Sequence, residues 1–325
     1  MLQVSHLTTV FDSPSGPLTA VDEVSFEVGP GETLGLVGES GCGKSVTALS
    51  IMQLVRPPGR IAAGQILFKG RDLLALRESE LRAIRGAEIA LIFQEPMTAL
   101  NPVFTIGDQI AEALTVHGKA SGAAAKQRAV ELLQSVRIPN AAARLHDYPH
   151  QLSGGQRQRV LIAIAVACRP SLIIADEPTT ALDVTIQAEI LDLLREMKTA
   201  YNLSLLLVTH DLGVIAETAD RVAVMYAGRI VEHGPVRDVL RHPQHPYTRG
   251  LLASMPGPSR ERLRTIEGSV PMLGALPEGC AFHPRCPDRF AACTSAVPPD
   301  YHVGEAHGAR CYLHQDHPQF THGAR

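Results

Sequence analysis

Long apolar segments, a surplus of basic residues and tryptophan are all missing from this 325-residue sequence. The longest uncharged apolar run, residues 160–168, is about half as long as the roughly 18 residues that a membrane-spanning helix needs. The 30 lysines and arginines stand against 33 aspartates and glutamates, whereas domains that grip a nucleic-acid backbone usually carry a clear basic excess. The amino terminus has no basic segment followed by an apolar one, as a secretory signal would have. We therefore expect a soluble cytosolic chain that does not bind nucleic acid.

Up to about residue 232, short apolar runs alternate with helical patterns. The runs at 33–37, 172–175 and 205–208 are typical of buried parallel strands, and a polar turn and a helical pattern follow each of them. This alternation predicts an α/β sheet with crossover helices.

Two regions depart from that alternation. Residues from about 96 to 150 lack strand signals and predict a helical insert. An antiparallel layer is predicted by residues 4–10, 21–28 and 65–68.

A glycine-rich segment after the first buried strand fits the pattern G-x-x-x-x-G-K-[ST]. Its residues are Gly38, Glu39, Ser40, Gly41, Cys42, Gly43, Lys44 and Ser45. The glycines let successive N–H groups point at phosphate oxygens, and the following helix adds its positive N-terminal end. We expect Lys44 to reach the β- and γ-phosphates and the Ser45 hydroxyl to bind Mg²⁺. The same N–H donors are expected to lower the pKa of the Cys42 thiol.

The run at 172–175 ends in two adjacent carboxylates, Asp176 and Glu177. Ligands gather at the carboxyl ends of strands in open α/β sheets. We expect Asp176 to hold Mg²⁺, directly or through water, and Glu177 to be the general base that polarises the attacking water. Taken alone, the pattern also fits a strand followed by a solvated turn. Its place downstream of a phosphate-binding loop favours catalysis.

The sequence LSGGQ at residues 152–156 resembles the signature motif of the ATP-binding cassette (ABC) family. Three further residues, Gln94, Asp183 and His210, match in order the family's Q-loop, D-loop and switch histidine. The resemblance implies an ATPase with an α/β fold: a P-loop NTPase (RecA-like) core, an antiparallel β subdomain and an α-helical subdomain. In this chain an irregular Cys-rich C-terminal extension would follow.

The resemblance also implies that two ATPase subunits sandwich ATP. The signature of one subunit closes over the nucleotide of the other, and Asp183 belongs to the same site. The signature residues that would contact the nucleotide are Ser153, Gly154, Gly155 and Gln156.

The family pattern assigns roles to the remaining positions of the ATP site. Gln94 senses the γ-phosphate and Mg²⁺, which Ser45 and Asp176 also bind, and His210 contacts the γ-phosphate and positions the water or Glu177. Phe11 falls where the family has an aromatic ring stacked on adenine, although a single Phe near a strand end is more often ordinary packing.

From His233 onward the sequence changes in character, with 12 of the 23 prolines and nine of the 14 histidines. Such proline density argues against long regular elements, and only residues 237–241 and 247–255 look helical. Four of the six cysteines, Cys280, Cys286, Cys293 and Cys311, lie in this tail with the spacing C-x5-C-x6-C-x17-C.

Four thiols in a reducing compartment suit a metal better than disulfides. The resemblance to peptide-importer ATPases implies a 4Fe-4S cluster, while a zinc ion and no metal remain alternatives. The isolated Cys168 ends an apolar helical run and is expected to be a buried small hydrophobe.

The segments 242–249 and 279–287 resemble ATPase subunits of dipeptide and oligopeptide importers. This implies a cassette domain at 1–255, with its helical subdomain at about 96–160, and a C-terminal region at 256–325. The partners would be two transmembrane permease subunits, an extracytoplasmic substrate-binding protein and a second ATPase, identical or, as we favour, a sister subunit. The chain would then lie on the cytoplasmic face of the inner membrane.

Two alternatives to a peptide importer remain at this stage. Related subunits serve the import of nickel and glutathione. A soluble cassette protein with a regulatory or assembly role would carry the same ATP motifs.

Overall fold

The computed structural model describes residues 1–255 and 265–319, which form two compact units. The first comprises Met1–Val28, Thr33–Leu74 and the described residues from Leu207 onward, and the second comprises Gly29–Glu32 and Ala75–Leu206. The predicted start of a C-terminal region at residue 256 lies outside the described residues, so that boundary stays a prediction. Within the described ranges, no helix is both long enough and apolar enough to cross a bilayer.

The strands in the described ranges are β1 (Leu2–Ser13), β2 (Gly16–Val28), β3 (Thr33–Val37), β4 (Gly59–Phe68), β5 (Arg71–Asp72), β6 (Ile89–Ile92), β7 (Leu172–Asp176), β8 (Ser204–Thr209), β9 (Arg221–Tyr226), β10 (Arg229–Pro235), β11 (Tyr301–Gly304) and β12 (His307–Ala309). The helices are α1 (Lys44–Ile51), α2 (Glu78–Ile84), α3 (Pro96–Ala99), α4 (Ile106–Val116), α5 (Gly122–Ser135), α6 (Ala141–Arg144), α7 (Gly154–Val166), α8 (Val184–Tyr201), α9 (Leu212–Thr218), α10 (Val236–Arg241) and α11 (Pro246–Ala253).

The strands of the first unit form two sheets. In one, the order is β2, β1, β4, β5, all antiparallel, with Leu2 opposite both Val28 and Phe68. This confirms the predicted antiparallel layer. In the other, the order is β11, β12, β10, β9, β3, and only β9 and β3 run parallel, with Gly35 opposite Val222. Every residue of β3 is buried, as its continuous apolar run predicts.

The second unit contains the parallel pair β6 and β7, with Ile89 opposite Leu172. All five residues of β7 are buried, so its carboxyl end is firmly placed. The helices α3 to α6 follow one another between Pro96 and Arg144 without a strand, which confirms the predicted helical insert. Strand β8 begins in this unit, and its last three residues belong to the first.

The tail is more regular than its composition predicts. Helices α10 and α11 confirm the two helical stretches, but the hairpin of β11 and β12 was not predicted, and it extends the sheet with Glu232 opposite Ala309. The fully buried Glu232 carboxylate accepts hydrogen bonds from the N–H groups of Gln244 (2.7 Å) and His245 (2.9 Å), and it pairs with His307 Nε2 at 2.9 Å. Burial raises the pKa of Glu232, but these hydrogen bonds outweigh it and hold the pKa below its ordinary value.

Candidate active site

The glycine-rich loop runs from the end of β3 to the start of α1, as its pattern predicts. At two positions of the loop glycine is required, because backbone atoms of neighbouring segments lie where a Cβ would be. A Cβ on Gly38 would lie 2.1 Å from the Met225 carbonyl oxygen. Gly43 has φ +106°, and a Cβ there would lie 2.5 Å from the Ala20 carbonyl oxygen. The neighbouring strands therefore fix the path of this loop.

Lys44 lies inside the loop and is only 4% exposed. Its Nζ donates hydrogen bonds to the carbonyl oxygens of Gly38 (2.8 Å) and Glu39 (3.0 Å). The ammonium group is thus held against the loop backbone, at the position from which it is expected to reach phosphate.

The expected lowering of the Cys42 pKa is wrong. The thiol is 1% exposed, and burial raises its pKa above the ordinary value, although the nearby Lys44 ammonium opposes this. Loss of hydration therefore outweighs the stabilisation of a thiolate by the loop. Cys168 is also buried, as predicted, and burial raises its pKa as well.

Glu39 has contacts that the sequence analysis missed. Its amide N–H donates to Tyr247 Oη at 2.9 Å, and its carboxylate accepts two hydrogen bonds from the Arg285 guanidinium at 2.7 and 3.0 Å. Both partners lie in the tail, which contacts the glycine-rich loop within the first unit. No spacing rule connects these positions, so no local signal identifies them.

The second unit brings Gln94 and Glu177 together. Gln94 Nε2 donates to Glu177 Oε2 at 3.1 Å, and Thr180 Oγ1 donates to the same oxygen at 2.8 Å. Glu177 directly follows β7 and has φ +47°, which is unusual for a residue with a side chain. Asp176, the last residue of β7, is buried. The end of β7 thus holds one buried and one oriented carboxylate.

The signature segment forms the N-terminus of α7. Ser153 Oγ accepts a hydrogen bond from the Gln156 N–H, and Gln156 Oε1 accepts one from the Ser153 N–H, which is a capping box. A Cβ on Gly155 would lie 2.7 Å from the Ile186 side chain of α8, so a side chain at this position would force Ile186 to shift. Ser153 and Gly154, at the start of the helix, are exposed.

The remaining predicted site residues lie at the ends of their elements. Asp183 caps α8 by accepting from the Ile186 N–H at 3.0 Å. His210 is exposed and directly follows β8. Phe11 lies near the end of β1, and its ring carbon lies 2.7 Å from where a Cβ on Gly59 would be. The contacts of these residues with a nucleotide stay predictions.

The four tail cysteines line one cavity, which His245 and Phe282 also border. Burial raises the pKa of Cys286 to about 11 and of Cys311 to about 12, and the neighbouring thiols add to both shifts. Burial likewise raises the pKa of Cys280. In the described part of the chain, no three His, Cys, Asp or Glu side chains are arranged to hold a metal ion.

Comparison with known proteins identifies the family. The family model for ABC transporters matches residues 21–180, and that for the oligopeptide/dipeptide transporter C-terminal region matches residues 231–293. The dipeptide transport ATP-binding protein DppD of Bacillus subtilis is 50% identical over 96% of this chain and 94% of its own length. The chain belongs to the ABC transporter family.

Other relatives of this ABC protein are as similar over their full length. The oligopeptide transport ATP-binding protein AppD of Bacillus subtilis is 50% identical over 97% of both chains. A Brucella ovis protein with a provisional name as a peptide import ATP-binding protein is 54% identical over 97% of this chain and 98% of its own. These matches confirm the predicted family and its ATPase activity, for which ATP and Mg²⁺ are the expected ligands.

A solved ABC cassette has the same fold. The dimeric cassette MJ0796, determined in a post-hydrolysis state with ADP and phosphate, is 28% identical to this chain with a TM-score of 0.66. The alignment covers 73% of this chain and 99% of that one. The predicted cassette fold is therefore confirmed for that part of the chain.

Proposed function

We propose that this chain is the ATP-hydrolysing subunit of an importer for dipeptides or oligopeptides, and that it drives transport through partner membrane subunits. The observation that carries the proposal is that residues 231–293 match the C-terminal region of oligopeptide/dipeptide transporters, on a chain that also has a cassette. Relatives at 50% identity are named for dipeptide and oligopeptide transport, which supports the same cargo class.

The phosphates of ATP bind to the glycine-rich loop at residues 38–45 in this proposal. Lys44 exchanges its two carbonyl partners for the β- and γ-phosphate oxygens, so its charge is neutralised by the ligand. Ser45, Gln94 and Asp176 are assigned to Mg²⁺, and Phe11 to the adenine ring. Buried Asp176 supports this role, because a buried carboxylate is stabilised by a cation.

Glu177 is assigned as the general base of hydrolysis. It accepts a proton from water as the water oxygen attacks the γ-phosphorus, and the bond to the β-phosphate oxygen breaks to release ADP. Its hydrogen bonds from Gln94 and Thr180 support this role by orienting one carboxylate oxygen. His210 is assigned to the γ-phosphate.

The signature residues 153–156 of one ATPase subunit are assigned to the nucleotide of the other, together with Asp183. The exposed helix start at Ser153 and Gly154 supports this, because the positive N-terminal end of a helix attracts phosphate oxygens. The second subunit is proposed to be a sister chain, with an identical copy as the alternative.

The transmembrane subunits are proposed to dock near Gln94. Four large apolar side chains that follow β6 are exposed, and soluble surfaces rarely leave such residues together without a partner. They are Phe93, Met97, Val103 and Phe104. Docking there would hold the chain at the cytoplasmic face of the inner membrane, while an extracytoplasmic binding protein selects the cargo.

A metal group is proposed for the cavity lined by Cys280, Cys286, Cys293 and Cys311. The support is that all four thiols line the same cavity, and four cysteine thiolates are the usual ligands of a 4Fe-4S cluster, with a zinc ion or no metal as the alternatives. Burial raises the pKa values of Cys280, Cys286 and Cys311, so these thiols are protonated at neutral pH and metal binding must release their protons. When bound, such a cluster supplies a cross-link between distant parts of the tail and a one-electron redox centre.

Reconstitution tests the proposed function. The chain is co-expressed with candidate pairs of permease subunits from its own source, and ATP hydrolysis is measured in liposomes with a candidate binding protein and di- or tripeptides. Stimulation by peptides supports the proposal, whereas stimulation by nickel or glutathione alone would reassign the cargo. A chain that hydrolyses ATP but associates with no membrane protein would instead have a regulatory or assembly role.

A further inference from the structure

Arg285 is held by many hydrogen bonds. Its side chain is 6% exposed, and it forms a two-pronged ion pair with Glu39. The remaining guanidinium hydrogens are directed to backbone carbonyls of Ile266, Glu267 and Gly268 at 2.9 to 3.3 Å. A buried arginine with this many acceptors has a fixed position, because each bond is charge-assisted and the guanidinium is rigid.

Tyr247 holds the same loop residue from another direction. The tyrosine is fully buried and accepts the Glu39 N–H at 2.9 Å. Its ring packs against Tyr226 (centroid distance 4.6 Å) and Phe282 (5.4 Å), so the hydroxyl cannot move freely. Arg285 lies over the rings of Tyr226 and Phe282 as well.

All three functional groups of Glu39 are therefore engaged. The carboxylate pairs with Arg285, the N–H donates to Tyr247, and the carbonyl accepts from Lys44 Nζ. Glu39 connects two buried residues of the tail to the lysine that is assigned to phosphate. Its carboxylate would also repel phosphate if it were not neutralised, since both carry negative charge.

We propose that Arg285 and Tyr247 are positioning residues for the phosphate-binding loop, which they hold in its phosphate-binding conformation through Glu39. Without them, only a fraction of loop conformers binds phosphate, and the apparent affinity falls by that fraction. This inference rests on the proposed binding of ATP to residues 38–45. It differs from a purely structural role, in which Arg285 only fastens the tail to the rest of the first unit.

The positioning role and the purely structural role predict different effects on ligands with and without β- and γ-phosphates. The Kd values of three ligands are measured on the purified full chain at equilibrium. They are a non-hydrolysable ATP analogue with Mg²⁺, ADP with Mg²⁺, and AMP. Arg285→Gln should raise the Kd of the ATP analogue and of ADP about tenfold, with at most about a twofold change for AMP, which lacks the β- and γ-phosphates. Arg285→Lys should recover part of the loss, because it keeps the charge but not the paired geometry.

Arg249→Gln is the matched control. It removes another arginine of the tail, one whose ion pair with Asp288 is longer, at 3.7 Å, and half exposed. All three nucleotides should bind this variant as they bind the unmodified chain.

Two further variants test the path through Glu39. Tyr247→Phe removes one oxygen and keeps the ring, and it should raise the Kd of the ATP analogue about threefold. In a Glu39→Gln background, Arg285→Gln should raise the Kd of the ATP analogue by a much smaller factor than it does in the unmodified chain, because both changes remove the same ion pair. If Arg285→Gln does not fold, Tyr247→Phe and Glu39→Gln still decide the outcome.

Equal losses for AMP and the ATP analogue, independent effects of Glu39→Gln and Arg285→Gln, or an unchanged Kd in folded Tyr247→Phe would each overturn the inference. If the unmodified chain itself binds no ATP analogue, the proposed function fails instead, and the two failures are thereby distinguished.

Discussion

Gln94 donates a hydrogen bond across 3.1 Å to the carboxylate of Glu177, which directly follows the buried strand β7. The Thr180 hydroxyl donates to the same oxygen, so the carboxylate is held from two sides. One Glu177 oxygen is thus occupied and the orientation of the other is set. A general base needs such an orientation, because proton transfer from water depends strongly on distance and angle.

Replacing Glu177 with Gln should stop hydrolysis without preventing binding. The amide has the same shape but cannot accept a proton, so turnover should fall by about 10² to 10⁴. Phosphate release and ATP binding are measured on the same preparation, and gel filtration with ATP should reveal a trapped ATPase dimer. Glu112→Gln, an exposed change on α4, is the control. Near-normal turnover in Glu177→Gln would remove Glu177 from its assigned role.

Replacing Lys44 with Ala should weaken nucleotide binding itself. The buried ammonium is assigned to the β- and γ-phosphates, and losing a charge-assisted bond of this kind should raise the Kd of ATP at least about tenfold. Binding is measured by titration of the ATP–Mg²⁺ complex. Lys126→Ala, at an exposed position of α5, should bind ATP normally. An unchanged Kd in Lys44→Ala would contradict the phosphate contact.

Replacing Glu232 with Gln should destabilise the C-terminal hairpin in a pH-dependent way. Because the folded-state pKa of Glu232 is lowered, its contribution is complete above the ordinary carboxyl pKa and is lost as the pH falls through the folded-state value. Near neutral pH the substitution should lower the free energy of unfolding by about 3 kcal/mol, since it removes a buried carboxylate that accepts hydrogen bonds from two backbone N–H groups and contacts His307 Nε2.

Urea unfolding of the unmodified chain and of Glu232→Gln at several pH values measures this difference. It should shrink as the solution becomes acidic. Glu305→Gln, in the exposed turn of the same hairpin, should change the free energy of unfolding little at any pH. A cost in Glu232→Gln that is the same at neutral and acidic pH would argue against a charged Glu232.

The tail cysteines should determine whether the protein carries iron and sulfide. Protein purified without oxygen should be brown and contain both elements, and Cys280→Ser or Cys311→Ser should lose them because the cluster needs all four thiolates. Cys168→Ser, outside the cavity, is the control. A colourless protein that contains zinc would identify the alternative metal, and one with neither would leave the cavity without a metal role.

Sequence patterns predicted the parts of this molecule whose structure is determined by residues close together along the chain. The buried run of β7 fixes Asp176 and Glu177 at its end, and the glycine pattern fixes the path into α1, so both were predictable. Contacts between distant positions were not. Glu39 is 208 residues from Tyr247 and 246 from Arg285, and nothing local to any of the three indicates the others.

The hairpin of β11 and β12 was missed for a related reason. Its strands are four and three residues long, and their local composition does not favour strands. The hairpin is held by the buried carboxylate Glu232, which lies 75 residues from its partner His307. In the same way, the raised pKa of Cys42 depends on burial, which motif matching does not measure.

Because the carboxylate, N–H and carbonyl of Glu39 are all hydrogen-bonded, this cassette and its tail cannot be combined freely with the tails and cassettes of other proteins. Position 39 is one of the unspecified positions of the loop motif, yet here it neutralises a buried guanidinium. A chimera that joins this tail to a cassette without an acidic residue at that position would leave Arg285 buried and uncompensated, which is strongly unfavourable. Cassette and tail therefore have to be transplanted together, with Glu39, Tyr247 and Arg285 as the set of residues that must match.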